Sequence, residues 1–116
     1  MITIARVYDY KPTHGQFAIL VDRLWPRGVR KEDLTPVLWL KDIAPSHDLR
    51  RWFSHDPAKW DEFRERYREE LSGGDDLLKE IKRLEREHGN VVLLYAARDH
   101  RHNNAVALME FLKSRH

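Results

Sequence analysis

The sequence predicts an α/β fold: a single small domain spanning residues 1–116, with a mostly parallel sheet flanked by helices. Three observations predict it. Val91-Val92-Leu93-Leu94-Tyr95 is an apolar run without a charge, as a central buried strand requires. Two amphipathic helical patterns precede it. The elements also run from strands to helices, back to a strand, and then to a last helix, which is the order of a layered α/β sandwich. A chain of 116 residues is long enough for one core.

Ile2 to Tyr8 alternates and is rich in β-branched residues, so it reads as a strand. Lys11-Pro12-Thr13-His14-Gly15 breaks it. Phe17 to Val21 is the second strand. Parallel crossovers usually need about a dozen residues or more, so this short link predicts a hairpin-like pairing of the two. Gly28 to Leu34 reads as a turn with a short helical piece, and Val37 to Leu40 as a third strand or apolar edge.

Ser46 is placed to cap a short helix through Phe53. Asp56-Pro57 is a sharper start signal, with Asp as cap and Pro in the first turn. Trp60, Phe63, Tyr67 and Leu71 then fall on one helical face, predicted to pack onto the core. Glu62, Arg66 and Glu70 form i,i+4 pairs on the other. Ser72-Gly73-Gly74 ends this helix. The next runs from about Asp75 to His88, with Leu77, Ile81 and Leu84 as its stripe and Gly89 as its C-cap. The last helix follows the Val91–Tyr95 strand and turns Ala105, Leu108, Met109 and Leu112 inward.

The composition excludes several classes of chemistry. There is no cysteine, hence no disulfide, thiolate metal site or thiol nucleophile. No apolar run approaches the roughly 20 residues needed to span a bilayer, and Met1-Ile2-Thr3-Ile4 does not read as a signal peptide. A cytoplasmic protein without a membrane partner is expected. The net charge of +2 is too small to argue for nucleic acid. The two ends of the chain are basic and the middle acidic, so ends that meet in one sheet would form a mildly positive cleft.

The most informative segment is Asp22-Arg23-Leu24-Trp25-Pro26-Arg27-Gly28, directly after the Phe17–Val21 strand. Ligands of open α/β sheets sit beyond the carboxyl ends of strands. Arg23 and Arg27 suit a phosphate or carboxylate, Trp25 suits stacking on a ring, and Asp22 suits an acid–base or orienting role. The internal alternative is an Asp–Arg pair that pins the loop, with Trp25 in the core.

The second segment is Arg98-Asp99-His100-Arg101-His102-Asn103, after the Val91–Tyr95 strand. Small Ala96 and Ala97 let a ligand approach the backbone, and the following helix start favours an anion. Asp99 serves either as the helix N-cap or as an acid–base group beside His102. Arg98 and Asn103 complete this wall, and Arg50 or His55 is expected to close the cleft. Ser46-His47-Asp48 is no catalytic triad, since consecutive residues at a helix start point in different directions. Arg98 and Arg101 flank His100 and His102 and disfavour a metal cation, so neither metal nor cofactor is expected. The expected ligand is a small anionic molecule such as a nucleotide, handled without a covalent thiol step. The alternative is a non-catalytic module for nucleic acid or protein, suggested by Trp and Arg interleaved over residues 23–52. The residues name a place for chemistry rather than a reaction.

The chain resembles the YeaO-like family of small bacterial and archaeal proteins, a family built on a domain of unknown function. The resemblance covers nearly the full length. It rests on the Asp22–Gly28 block with Lys31; on Trp39, Lys41 and Ala44-Pro45-Ser46; and on Leu49-Arg50 with Trp52-Phe53. It continues through His55, Pro57, Trp60, Phe63 and Tyr67 to Leu93-Leu94-Tyr95-Ala96-Ala97 with Asp99, His102 and Asn103. It implies a compact α/β fold and no settled activity. Members are sometimes labelled uroporphyrin-pathway methyltransferases, a label that does not suit a chain this short without a Gly-rich cofactor loop. Broader relatives carry a Cys-His pair near the last helix, where this chain has His102-Asn103, so the resemblance implies that thiol chemistry is absent here.

Overall fold

A computed structural model describes residues 1–114. Its sheet consists of β1 (Ile2–Arg6), β2 (Phe17–Leu20), β3 (Val37–Trp39) and β4 (Val91–Tyr95) in the order β1-β4-β2-β3, and every neighbouring pair is parallel. β4 is the centre: Leu93 lies beside Ile4 of β1 and beside Ile19 of β2. All five of its residues are buried.

The expected hairpin of the first two strands is not formed. β1 and β2 run parallel, with β4 between them. Their link returns without a helix. An extended chain covers about 3.3 Å per residue, so residues 7–16 easily retrace a five-residue strand. Val7 and Tyr10 of this link pack on the sheet as they pass, which makes the short crossover a cover for one face.

The two faces differ. Ile19, Val21, Val91, Leu93 and Tyr95 point to the larger core, under α2 (His47–Phe53), α3 (Trp60–Ser72), α4 (Asp75–His88) and α5 (Asn104–Ser114). Ala18, Leu20, Val92 and Leu94 point to the other face. That face is closed by a thin layer: Leu34 of the one-turn α1 (Lys31–Leu34), together with Val7, Tyr10, Trp25 and Val29.

Local signals explain the helices. The Ser46 hydroxyl accepts from the Leu49 amide at 3.1 Å and starts α2. The Asp56 carboxylate accepts from the Ala58 amide at 3.0 Å and opens a 3-10 turn that runs into α3. Gly89, at φ 82°, closes α4 in a conformation that a side chain would strain. On α3, Phe63, Tyr67 and Leu71 are buried, and the Tyr67 hydroxyl donates to the Ile43 carbonyl at 2.6 Å. Trp60 is only half-buried, because its ring lies over Phe53 and Phe63 at the end of the core. On α4 the buried residues are Leu78, Ile81 and Leu84, while the expected Leu77 lies at the margin. On α5 Phe111 is buried, and the expected Met109 is half-buried. Among the described residues no helix is long and apolar enough to cross a membrane.

Candidate functional site

β2 and β4 end side by side, and the chain leaving each of them forms one wall of a cavity of about 360 Å³. Asp22, Arg23 and Leu24 come from the β2 exit. Ala96, Ala97, His102, Asn103 and Asn104 come from the β4 exit and the start of α5. Ala44-Pro45, with Arg50 and Phe53 of α2, His55 just beyond it and Phe63 of α3, close the third side. The location is the one that open parallel sheets offer to ligands.

Asp22 is the hub. Its carboxylate accepts from the Ala96 amide at 2.9 Å and from Asn104 Nδ2 at 3.1 Å. The same Asn104 amide donates to the Val21 carbonyl at 3.0 Å, so Asp22 ties the two strand exits to α5. Burial pushes the Asp22 carboxyl above its ordinary value; the hydrogen bonds from Asn104 and Ala96 and the charges of Arg50 and His55 pull the other way. Arg6 secures the same junction from β1, donating through Nε to the Ala97 carbonyl at 3.1 Å.

Arg50 reaches the same cavity from α2. Its Nε is buried, lies at the cavity wall and has no hydrogen-bond partner. No ion pair joins it to Asp22 among the described residues. Arg23 sits at the cavity mouth on long contacts, 3.3 Å to Asp42 and 3.4 Å to the Ala44 carbonyl. The first is an ion pair, and both are at the long, weak end of hydrogen bonding. Ser54 and His55 follow α2 with φ of 48° and 57°, a pair of left-handed residues that reverses the chain and brings His55 back to the rim.

His102 is held on two sides. Its Nδ1 lies 2.8 Å from an Asp99 oxygen, and its ring meets Trp60 edge-on at 5.3 Å. With Nδ1–H donating to the carboxylate, Nε2 is left as an acceptor. Asp99 also accepts from the amides of Arg101 and His102, and these bonds hold its carboxyl down to about 2.

The predicted site residues therefore divide. Asp22, Arg23, Arg50, His55, His102 and Asn103 meet at the cavity. Asp99 stands behind it and orients His102. Trp25, Arg27 and Arg98, expected in the walls of the cleft, do not line it. Trp25 belongs to the thin layer on the other face, where its Nε1 donates to the Val29 carbonyl at 2.7 Å and its ring meets Trp39. Arg27 is exposed, with its carbonyl accepting from the Tyr8 hydroxyl at 2.9 Å. Arg98 is exposed as well. Asn103 is a helix cap: its Oδ1 accepts from the Val106 amide at 3.0 Å and its Nδ2 donates to the Asp99 carbonyl at 2.9 Å. The cap of α5 is thus Asn103 and not Asp99. His100 turns away to the Tyr95 hydroxyl, 3.0 Å from its Nδ1.

Sequence reasoning missed Asn104. The signal was there: one Asn suffices to cap a helix, and a second beside it, a weak helix former, has to answer to something else.

Fold and cavity define a compact α/β protein with a polar-rimmed, largely apolar cavity at the carboxyl ends of parallel strands. The chain belongs to the family described as the inactive DUF488-N3 subclade, whose model matches residues 1–116. It is 37% identical over 113 residues to the uncharacterized protein YeaO of Escherichia coli K12, covering 97% of each chain. It is 48% identical over 84 residues to uncharacterized proteins of Mycobacterium tuberculosis H37Rv and Mycobacterium bovis, covering 72% of this chain and 70% of theirs. No solved structure matches it.

Proposed function

We propose that this protein binds a small anionic molecule in the cavity between the β2 and β4 exits, with Arg50 as the principal grip. The observation that carries the reading is the buried Arg50 Nε with no hydrogen-bond partner. A desolvated guanidinium N–H is costly unless an acceptor meets it, and carboxylates and phosphates match its fork. Arg23, loosely held at the mouth, supplies a second guanidinium, and His55 a rim donor. The cavity lies at the small end of the range for ligand sites, so the ligand is small.

A second reading, acid–base turnover of that ligand, rests on the Asp99–His102 pair, which leaves His102 Nε2 as a candidate base. Binding without turnover is the better supported. Among the described residues no hydroxyl or thiol lines the cavity, and the family carries the description inactive. Binding of nucleic acid has less behind it. Trp25 is tucked under its own loop, and Trp52 is covered by Arg66 at 4.3 Å and Lys59 at 5.2 Å, so neither offers a free stacking face.

Thermal shift and calorimetry with inorganic phosphate, benzoate and adenosine monophosphate test the proposal on wild type and Arg50→Ala. At least one anion should stabilise the wild type, more weakly as salt rises and equally in the presence of a chelator. Arg50→Ala should lose the effect, whereas Arg27→Ala should keep it. No response to any anion at millimolar concentration would overturn it.

A further inference from the structure

Two opposite charges share this cavity without meeting. Asp22 and Arg50 are the obvious partners for each other, since a charge taken out of water is costly unless it is paired. Yet no ion pair links them among the described residues, and Arg50 Nε is left with no acceptor at all. Asp22 is fixed from behind by Ala96 and Asn104, one hydrogen bond to each oxygen, so it cannot swing toward Arg50 without breaking the junction of the strand exits. Each oxygen still has a lone pair to offer. Pro45, Phe53, Phe63, Ala96 and Ala97 give the same cavity apolar wall, beside the polar Arg23, His55 and His102.

A simple anion on Arg50 would meet the like charge of Asp22, and a polyphosphate would place several negative charges there. A simple cation on Asp22 would leave Arg50 unanswered. A ligand with both charges and an apolar body answers Asp22 and Arg50 at once. We propose that the ligand is a zwitterion, a free α-amino acid with an apolar side chain, its carboxylate on Arg50 and its ammonium group on Asp22. The apolar side chain then lies against Phe53 and Phe63, in a cavity of about 360 Å³ that has little room for more. This rests on the reading that Arg50 grips a small anionic group, and it adds the second charge.

The test is calorimetry on the wild-type protein with L-amino acids of apolar side chain, each paired with its deaminated acid and its decarboxylated amine; for phenylalanine these are 3-phenylpropionate and phenethylamine. At least one amino acid should bind about tenfold tighter, or more, than either of its truncated forms, the effect of losing one charge-assisted contact. Asp22→Asn should weaken the amino acid to the level of its deaminated acid while leaving the acid itself unweakened. An acid that binds wild type as tightly as its amino acid overturns the zwitterion and leaves the anion reading standing. So does phosphate or benzoate binding that depends on Arg50 when no amino acid binds. Absence of all carboxylate and phosphate binding overturns both. Selectivity for the amino acid that survives in Asp22→Asn overturns the role of Asp22. The paired ligands decide the case on wild type alone if that variant does not fold.

Discussion

Asp22 and Asp99 are both carboxylates at strand exits, yet their surroundings push them in opposite directions. Burial raises Asp22 above its ordinary 3.8, whereas backbone amides and His102 lower Asp99 to about 2. A carboxyl raised on folding contributes stability that is present below the unfolded value and lost as pH rises through the folded one. A lowered carboxyl contributes stability that is present above the unfolded value and lost as pH falls. The melting-temperature difference between wild type and Asp22→Asn should therefore move against the wild type as pH rises above 3.8 and then level off. The advantage of wild type over Asp99→Asn should be steady near neutrality and shrink between about 3.8 and about 2. Thermal melts across pH check both. A flat Asp22 difference would show that burial does not dominate that carboxyl. The residue scale is also where a sequence says least about which side chains meet. Arg23, Arg27 and Arg98 looked equivalent as charges near strand ends, but side-chain direction is set by loop backbone that no periodicity describes.

At the scale of elements, α5 and α3 carry the cavity. Asn103 is 2% exposed and satisfies the Val106 amide and the Asp99 carbonyl together. Asn103→Ala should cost about 1–2 kcal/mol by chemical denaturation, at the upper end for a helix cap because two half-buried groups lose their partner together. It should also loosen Asn104 and with it Asp22. A loss of only a few tenths would mean that solvent satisfies both groups. On α3, Phe63→Ala should cost about 3–5 kcal/mol and Trp60→Ala less, since Phe63 is buried and Trp60 is half-buried. Equal losses would show that Trp60 closes the core as fully as Phe63. The stripe of α3 was legible because helical spacing puts Trp60, Phe63, Tyr67 and Leu71 on one face. The gradation along it was not, because how deep a residue lies depends on where the helix ends relative to the sheet. Leu77 and Leu78 show the same limit: adjacent positions on α4 share the stripe's edge, and only the docking angle chose between them.

For the whole molecule, the position of β4 between β1 and β2 sets the hierarchy of stability. Its amides are paired within the sheet and covered on both faces, while the three-residue β3 lies at an edge. Hydrogen exchange should find the β4 amides slowest and those of β3 among the fastest in the sheet. β3 amides as protected as those of β4 would point to a cover over that edge. The centre of the sheet could be read from the sequence, because a strand buried on both faces must be apolar throughout. Its neighbours could not. A rule about link length favoured a hairpin for the first two strands, but an extended link with apolar Val7 and Tyr10 closes a crossover without a helix.

The sequence by itself therefore determined the α/β class, the central strand, the caps at Ser46 and Asp56, the glycine stop at Gly89 and the family. These depend on local backbone preference and on periodic burial, both written in neighbouring residues. It also pointed to the two strand exits where the cavity lies. Only the tertiary structure decided the strand order, the unequal cover of the two sheet faces, and the residues that share the cavity. Arg50 enters it from a helix distant in sequence from both exits, while Trp25 leaves it for the other face. Such meetings are set by how the elements dock, and residues that meet across a fold need leave no spacing in the chain.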